Sequence, residues 1–483
     1  MDAMDERQLA EIVKRVIHEM QQTAGQGQSS SSGGGHVAAC AGGAARGGQD
    51  GVFEDIEDAI RAANTAFQQY FVMPMEERKR FISIIREISR QQNRSWAELV
   101  VRDTGMGRVD HKEMKHTLSL EKTPGPEELE TTCVTGDHGI MLQEYAPFGV
   151  IGTITPSTNP VATVINHSIA MLSAGNTVVF APHPGAVQCT LEAMKTLNRA
   201  LTAAGAPPNL MTSVRQPTLR TAKVLMGHED ISLLVATGGP SVVRAALESP
   251  KRAIVAGPGN PPVIVDETAD IAKAANDIYS GSSFDNNMPC ICEKECFVLP
   301  PVYDEFLAAI RRRGAFLLDR GQTDALTRVI ITPDGHVNRD YVGKDPAIIA
   351  RAINVNIPSN CELLIAETDR RHPFVEHELL MPVLAIVRMN SFEEAVQASV
   401  EAEHGFGHTA IIHTRRMDRA TAFARAIRVN LFVVNGPCGA ILGNGGEGWT
   451  AFTIAGPTGE GPCTPKTFSR VRRFAIADSL RVV

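Results

Sequence analysis

From Gly149 onward the chain alternates short β-branched runs with longer amphipathic segments, and this rhythm limits the possible folds more than any other feature. GVIGTI is followed by NPVATVINHSIAMLSAG, NTVVFAP by AVQCTLEAMKTLNRALTAAG, and ISLLVAT by PSVVRAALES. A second series follows, with PPVIVDE, CFVLP, PVLAIVRM and HTAIIHT. Strands that alternate with helices predict an α/β fold with doubly wound parallel sheets and helices on both faces.

The chain is too long for one compact core. With 483 residues, two or three domains are expected, because single cores stop growing beyond about 250–300 residues. Apolar residues make up 43% and charged residues 21%, which is typical of a soluble globular protein. The formal net charge of −7 gives no basic field to attract nucleic acid or an anionic membrane. We therefore expect neither partner.

The first twenty residues predict a short amphipathic helix. Leu9, Ile12, Val13 and Val16 fall on one face of that helix. Residues 21–51 are rich in Gly, Ser and Ala, and predict a flexible linker. The helix either docks on its own core or a neighbouring subunit, or binds a separate partner. The long linker favours a targeting peptide, because a flexible tether presents its helix to another molecule.

The cysteines indicate free thiols. There are nine, an odd number without paired metal-ligand spacing, so neither a disulfide framework nor a metal site is expected. No apolar run reaches the roughly 18–20 residues that span a bilayer, and the N-terminus lacks the apolar segment of a secretory signal. We expect a cytoplasmic protein, in which a thiol can act as a nucleophile.

The segment SFDNNMPCICEKECFVLP is the densest candidate for chemistry. Its Asn-Asn pair and proline predict a turn, which places Cys290 on a loop between a helix ending near Ser283 and a strand starting near Cys296. An exposed loop thiol with a lowered pKa is a nucleophile, whereas a single cysteine is more often an inert buried residue. Cys292 and Cys296 are therefore interpreted as inert buried residues.

Two glycine-rich segments are candidates for binding a nucleotide. AGPGNP at 256–261 fails as a dinucleotide fingerprint, because a proline occupies the last glycine position and a strand follows. ATGGPSVV at 236–243 fits better, since it lies between a strand and a helix. Its glycines would let backbone amides approach an anion at the helix start.

Together these segments resemble the aldehyde dehydrogenase family, over about residues 52–483. The match is with its CoA-acylating branch, which includes enzymes of bacterial microcompartments. The segments that carry the resemblance are PSTNPV at 156–161, ATGGPS at 236–241, GPGNPPVIVD at 257–266, SFDNNMPC at 283–290, HELLMPVLAIV at 377–387, EHGFGHTA at 403–410 and TIAGPTGEG at 453–461.

The resemblance implies a covalent mechanism. Cys290 matches the family's nucleophile, which attacks the aldehyde as a thiolate and, after hydride transfer to NAD⁺, is left as a thioester. Donors to the developing oxyanion would be the backbone N–H of Cys290 and the segment Thr158–Asn159. Hydrolytic relatives have an asparagine that aligns with Thr158, one place before Asn159.

The resemblance also implies a set of cofactor contacts. Glu378 matches the glutamate that holds the nicotinamide ribose, and Gly238, Gly239 and Ser241 would lie beside the pyrophosphate. The remaining cofactor positions that it implies are Thr155, Pro156, Pro182, His183, Thr237, Gly257 and Pro382.

Two absences distinguish this chain from hydrolytic relatives. Ala256 stands where they carry the glutamate that activates water, so CoA becomes the better acceptor of the acyl group. Ala181 replaces a lysine near the adenosine ribose, which leaves no cation for a 2′-phosphate and favours NAD⁺ over NADP⁺. His404 and His408 are candidates for proton transfer to the incoming thiol, but local hydrogen bonds are the favoured interpretation.

The resemblance predicts five regions. They are a targeting helix at 1–20, a linker at 21–51, an NAD-binding domain at 52–258, a catalytic domain at 259–452 and a C-terminal oligomerisation segment at 453–483. A hairpin at about 131–147 would pair with the last of these in a homodimer or homotetramer. The targeting helix would bind a shell protein of a microcompartment.

The expected activity is oxidation of a short aldehyde, preferably propionaldehyde, to its acyl-CoA. Alternatives are an acetaldehyde-specific enzyme of the same type, a hydrolytic dehydrogenase that yields a free acid, and a non-catalytic scaffold. The absence of a glutamate at position 256 argues against hydrolysis, and the presence of Cys290 and Glu378 argues against a scaffold.

Overall fold

The computed structural model describes residues 48–454 and 456–481, and confirms the α/β architecture with parallel sheets. The targeting helix predicted for residues 1–20, and the linker before residue 48, lie outside the described residues. None of the helices in the described part of the chain is long and apolar enough to cross a membrane.

The first sheet contains six parallel strands in the order β1-β6-β5-β4-β7-β8. Helices cover both of its faces, so the strands are almost continuously apolar. Its strands are β1 Val52–Phe53, β4 Val150–Thr155, β5 Thr177–Pro182, β6 Met211–Val214, β7 Ile231–Thr237 and β8 Ala253–Ala256. The helices of this part are α1 Ile56–Phe71, α2 Met75–Thr104, α3 Val109–Lys122, α4 Pro160–Ser173, α5 Val187–Ala203, α6 Leu219–Gly227 and α7 Pro240–Leu247.

The second sheet contains seven parallel strands in the order β11-β12-β13-β10-β9-β14-β15. Its strands are β9 Pro262–Val265, β10 Glu295–Val298, β11 Phe316–Leu318, β12 Leu364–Thr368, β13 Val383–Arg388, β14 Thr409–His413 and β15 Leu431–Val434. The accompanying helices are α8 Ile271–Ser283, α9 Tyr303–Arg312, α10 Arg320–Ile330, α11 Pro346–Arg351, α12 Pro373–Glu376, α13 Phe392–Ala402 and α14 Met417–Ile427.

A third, antiparallel sheet joins two distant parts of the chain. Strands β2 (Thr132–Gly136) and β3 (Gly139–Pro147) form a hairpin, and β16 (Ser469–Ala477) pairs with β3 along its whole length. The C-terminal segment therefore returns to the hairpin of the same chain. Beyond its first residue, β16 is exposed.

The order of the first sheet creates a crevice. Strand β4 lies between β5 and β7: the chain leaves β4 toward β5 and β6 and then returns to β7 on the other side. Ligands of open α/β sheets bind at such a switch point, outside the carboxyl ends of the strands. The first sheet thus predicts a binding site after β4, β5, β7 and β8.

Candidate active site

A cleft of about 2260 Å³ opens at the carboxyl ends of these strands. Its wall includes Thr155, Pro182 and Thr237, the last residues of β4, β5 and β7. Cys290 and Glu378 line it from the segments that precede β10 and β13 of the second sheet. Ordinary small-molecule pockets hold about 300–1,000 Å³, so this cleft has room for a dinucleotide together with a small substrate.

The structure brings together nearly all of the predicted site residues. Those that line the cleft are Thr155, Pro156, Thr158, Asn159, Pro182, His183, Thr237, Gly238, Gly239, Ser241, Gly257, Cys290 and Glu378. Pro382 is the exception: it stands just before β13, and its carbonyl accepts the N–H of Leu364 at 2.9 Å. Pro382 therefore belongs to the sheet and not to the cleft wall.

The loop that carries Cys290 begins with an unusual turn. Asp285, Asn286 and Asn287 have φ angles of 49°, 55° and 61°. Three consecutive non-glycine residues in the left-handed region are uncommon, and Asp and Asn tolerate it best because their short side chains bond locally. This turn redirects the chain after α8, and Cys290 then lines the cleft while it packs on its other side against the apolar core of the second sheet.

The turn is fixed by buried side chains on both sides of the nucleophile. The amide of Asn287 donates to the carbonyls of Ser282 and Glu293, each at 2.9 Å. The buried ammonium of Lys294 donates to the carbonyl of Asn287 at 2.8 Å and to its Oδ1 at 2.6 Å. These bonds connect the residues before and after Cys290, so the loop is held rigidly without a ligand.

The surroundings of Cys290 keep its thiol protonated at rest. The residue is partly exposed, but burial, and then the carboxylate of Glu378, raise its pKa to about 12, while Lys294 acts in the opposite direction. A cysteine attacks as the thiolate. Attack on an aldehyde therefore requires a nearby group to accept the proton.

Glu378 titrates close to neutral pH. Burial raises the pKa of its carboxyl to about 7, although Lys294 and a hydrogen bond from the backbone of Gly259 favour the charged form. Ionised, it has the acceptor oxygens needed to hold a diol such as the nicotinamide ribose.

His408 lies closer to the nucleophile than the sequence suggested. A Cβ on Gly259 would stand 2.8 Å from Cγ of His408 and 2.9 Å from the carbonyl oxygen of Cys290, so only glycine fits between these two residues. Burial lowers the pKa of His408 to about 3, which leaves the ring neutral. Its Nδ1 lies 2.7 Å from the hydroxyl of Thr409, and its Nε2 has no partner in the described structure.

His404 behaves differently. Its ring lies 2.9 Å from the carbonyl of Glu376 and does not line the cleft, as expected of a histidine held by local bonds. Lys294 is a site residue that the sequence does not reveal, because it looks like an ordinary polar residue until the fold buries it.

The start of α7 fits a pyrophosphate. Gly239 precedes the helix, and no side chain caps the backbone N–H groups of its first turn. Uncapped N–H groups at a helix start bind anions. Gly238 and Ser241 line the cleft beside them.

Methyl groups occupy two positions that are charged in hydrolytic relatives. Ala256 and Ala181 both line the cleft. In the described residues, no group of three or more His, Cys, Asp or Glu side chains is arranged to hold a metal ion.

Comparison with known proteins identifies the family. The model of the aldehyde dehydrogenase family matches residues 46–324 and 363–449. The acetylating acetaldehyde dehydrogenase EutE of Salmonella typhimurium is 46% identical over 90% of this chain and 94% of its own length. A propionaldehyde dehydrogenase from the fucose utilisation microcompartment of Clostridium phytofermentans is 47% identical, with a TM-score of 0.88 over 90% of this chain and all of that one.

A second solved structure contains a ligand. It is the propionaldehyde dehydrogenase of Rhodopseudomonas palustris with bound propionyl-CoA, which is 43% identical with a TM-score of 0.88 over 89% of this chain and 96% of that one. These matches confirm the predicted fold and the resemblance to CoA-acylating enzymes. The chain belongs to the aldehyde dehydrogenase family.

Proposed function

We propose that this enzyme converts a short aldehyde, NAD⁺ and CoA into acyl-CoA and NADH through a thioester on Cys290, and that propionaldehyde is its preferred substrate. One observation carries the proposal. Cys290 faces a cleft in which the methyl group of Ala256 stands where hydrolytic relatives have a carboxylate. Without that base, water attacks a thioester slowly and a thiol competes successfully.

The reaction begins with bond formation between Sγ of Cys290 and the aldehyde carbon. The thiol proton passes to a neighbouring acceptor, and the carboxylate of Glu378 lines the cleft beside Cys290 and can take this role. The resulting oxyanion needs hydrogen-bond donors from the cleft wall, which Asn159 and the N–H of Cys290 would supply.

The cleft would hold NAD⁺, which would supply the hydride acceptor for the former aldehyde carbon, and loss of that hydride would leave Cys290 as a thioester. The sulfur of CoA bonds to the same carbon, the oxyanion forms again, and Cys290 leaves as a thiolate that regains its proton. The balance is one aldehyde, one NAD⁺ and one CoA consumed for each acyl-CoA, NADH and proton formed.

The decisive experiment follows NADH formation from propionaldehyde with and without CoA, in the wild type and in Cys290→Ser, with the acyl product identified by mass spectrometry. We expect CoA-dependent turnover to propionyl-CoA that vanishes in the variant. Sustained turnover to propionate without CoA would show that another group activates water. Inactivity with every aldehyde would instead favour a scaffold.

The preference for propionaldehyde rests on the apolar wall of the cleft, which includes Met114, Leu118, Ile291 and Phe452. One methylene buried there contributes about 1–3 kcal/mol. We therefore expect kcat/KM to be higher for propionaldehyde than for acetaldehyde. Equal or reversed values would assign the enzyme to acetaldehyde.

Residues 1–20 form the basis of a second proposal, that the enzyme is packaged in a bacterial microcompartment. An apolar stripe on a tethered helix is suited to a groove on a shell protein. We expect residues 1–20 to carry a fluorescent protein into shells produced in the same cell, and Ile12→Glu with Val16→Glu to abolish this. Diffuse fluorescence with the native peptide would contradict it.

A further inference from the structure

Helix α3 buries a polar face. Amphipathic helices normally turn an apolar stripe toward the core, yet the buried residues of α3 include Lys112, Lys115, His116 and Ser119. Removing an ammonium group from water costs several kcal/mol unless it is paired. These lysines must therefore have strong partners inside the protein.

Asp285 is the charged partner of both lysines. Its buried carboxylate lies 2.8 Å from Nζ of Lys112, and Nζ of Lys115 donates to the same oxygen. Burial opposes ionisation of Asp285, but the two ammonium groups outweigh it and hold its pKa below the usual value. Two amines thus share one anion, burial lowers the pKa of Lys112 to about 7, and the cluster retains an excess of hydrogen-bond donors.

The excess donors point at the loop between β4 and α4. Nζ of Lys112 donates to the carbonyl of Thr158 at 3.0 Å, and Nζ of Lys115 donates to that carbonyl at 3.3 Å. Nζ of Lys115 also donates to Oδ1 of Asn159 at 2.6 Å. Lys115 and Asn159 both line the cleft that Cys290 faces.

This contact determines which way the amide of Asn159 points. An ammonium group can only donate, so Oδ1 must face Lys115 and Nδ2 must face the other side. Within the described structure, Nδ2 contacts the hydroxyl of Thr158 at 3.3 Å, which is long for a hydrogen bond. An amide nitrogen carries two hydrogens, so one remains available to a ligand.

We propose that Lys115, anchored by Asp285, is a positioning residue that orients the Asn159 amide, so that Nδ2 donates to the oxyanion on the carbon bonded to Cys290. The inference rests on the proposed function, because it concerns the oxyanion formed during that reaction. This role also explains why the lysines are buried. They fix the orientation of the Asn159 amide, which the loop alone would leave free to rotate, and preorganised donors stabilise an oxyanion best.

The test is a double-mutant cycle on the burst rate of NADH formation from propionaldehyde. Loss of one oxyanion donor typically slows chemistry by about 100- to 1,000-fold, and we expect Asn159→Ala to fall in this range. Lys115→Met should slow the burst at least tenfold, with KM for NAD⁺ unchanged. In the Asn159→Ala background, Lys115→Met should slow the burst less than twofold, because no amide is left to orient.

Lys112→Met is the matched control, since Lys112 shares Asp285 and the Thr158 carbonyl but does not contact the Asn159 amide. Its effect should be the same with and without Asn159. If Lys115→Met slows the burst equally with and without Asn159, the inference is overturned. It is also overturned if the effect of Lys112→Met disappears in the Asn159→Ala background, because the cluster would then act as one structural unit.

The test also covers a Lys115→Met variant that does not fold and a wild type that lacks the proposed activity. If Lys115→Met does not fold, Asp285→Asn releases the anchor with little change in shape, and its effect should likewise shrink in the Asn159→Ala background. An additive effect would overturn the inference. Failure of the wild type to form NADH in a CoA-dependent manner would instead refute the proposed function.

Discussion

Cys290 combines a reactive role with surroundings that suppress its reactivity. Burial and the neighbouring carboxylate of Glu378 raise its pKa to about 12, and the cation of Lys294 acts in the opposite direction. A thiol kept protonated is protected from adventitious oxidation, because oxidants and alkylating agents react with the thiolate. Reaction then depends on transfer of its proton when substrate is in place.

Lys294 should control how readily Cys290 reacts. Replacing it by methionine removes the buried charge that favours the thiolate, so the pKa of Cys290 should rise further. We expect alkylation of Cys290 by iodoacetamide to slow about fivefold to tenfold, since a tenfold change in the thiolate equilibrium corresponds to about 1.4 kcal/mol. Peptide-resolved mass spectrometry measures this rate.

The same experiment contains its own control. Cys133 is an exposed free cysteine on the hairpin, and its labelling should be unaffected. Lys294→Arg keeps the charge and should retain most of the wild-type rate. Equal labelling of Cys290 in the wild type and in Lys294→Met would show that the lysine acts on the loop alone.

Glu378 should make cofactor binding depend on pH. Its pKa of about 7 means that the ionised fraction grows as pH rises through neutrality, and the ionised form accepts hydrogen bonds from a ribose. We expect KM for NAD⁺ to fall between about pH 6 and about pH 8. In Glu378→Gln, which cannot ionise, KM should be higher and flat over this range. A slope that persists in the variant would assign the titration to another group.

The site residues that the sequence proposes belong to short motifs, and their roles stay predictions. Cys290, Glu378 and the glycines at 238–239 were identified in this way, and the structure places them in one cleft. Lys115 was missed because a lysine in a helix is ordinarily a surface charge. Its partner Asp285 is 170 positions away in the chain, and local patterns hold no information about such a contact.

Among the elements, the turn before Cys290 has the most restrictive backbone. Asn286 has φ of 55° and donates from its amide to the carbonyl of Gly343 at 2.9 Å and to Asp345 at 3.0 Å. Asn286→Ala and Asn286→Gly lose the same bonds, but only alanine pays the left-handed penalty of about 1–2 kcal/mol. We expect the alanine variant to unfold at the lower temperature in calorimetry.

The difference in stability between the two variants reports the cost of the left-handed backbone at position 286, because both variants lose the same hydrogen bonds. Glycine adds freedom to the unfolded chain, which reduces the difference without reversing it. Equal unfolding temperatures would mean that the turn relaxes when the Asn286 side chain is absent.

The periodicity of the sequence predicts many strands of both parallel sheets, because buried strands are short and β-branched, but it does not predict β1, β11, β12 or β15. It did not predict the strand order, in which β4 becomes a neighbour of β7. Strand order depends on pairing between segments far apart in the chain, and this order creates the switch point where the cleft lies.

At the scale of the whole molecule, the third sheet leaves an edge and a surface uncovered. Strand β16 pairs with β3 on one side and is exposed along its length. Phe474 and Ile476 are 53% and 44% exposed on one face of this sheet, and Val471 and Val134 are 55% and 61% exposed on the opposite face. Exposed edge strands pair with other chains unless they are protected, and exposed apolar side chains beside this edge would favour the same contact.

We therefore expect a homodimer or homotetramer assembled through this sheet. Phe474→Asp places a charge where a partner subunit would pack, and leaving a charge buried without a partner costs several kcal/mol. The variant should therefore elute as a smaller species in size-exclusion chromatography with light scattering. Met417→Asp is the matched control, because Met417 is similarly exposed at 66% but lies at the start of α14. If both variants keep the mass of the wild type, assembly occurs through another surface; if both lose it, the charge acts on folding and not on the interface.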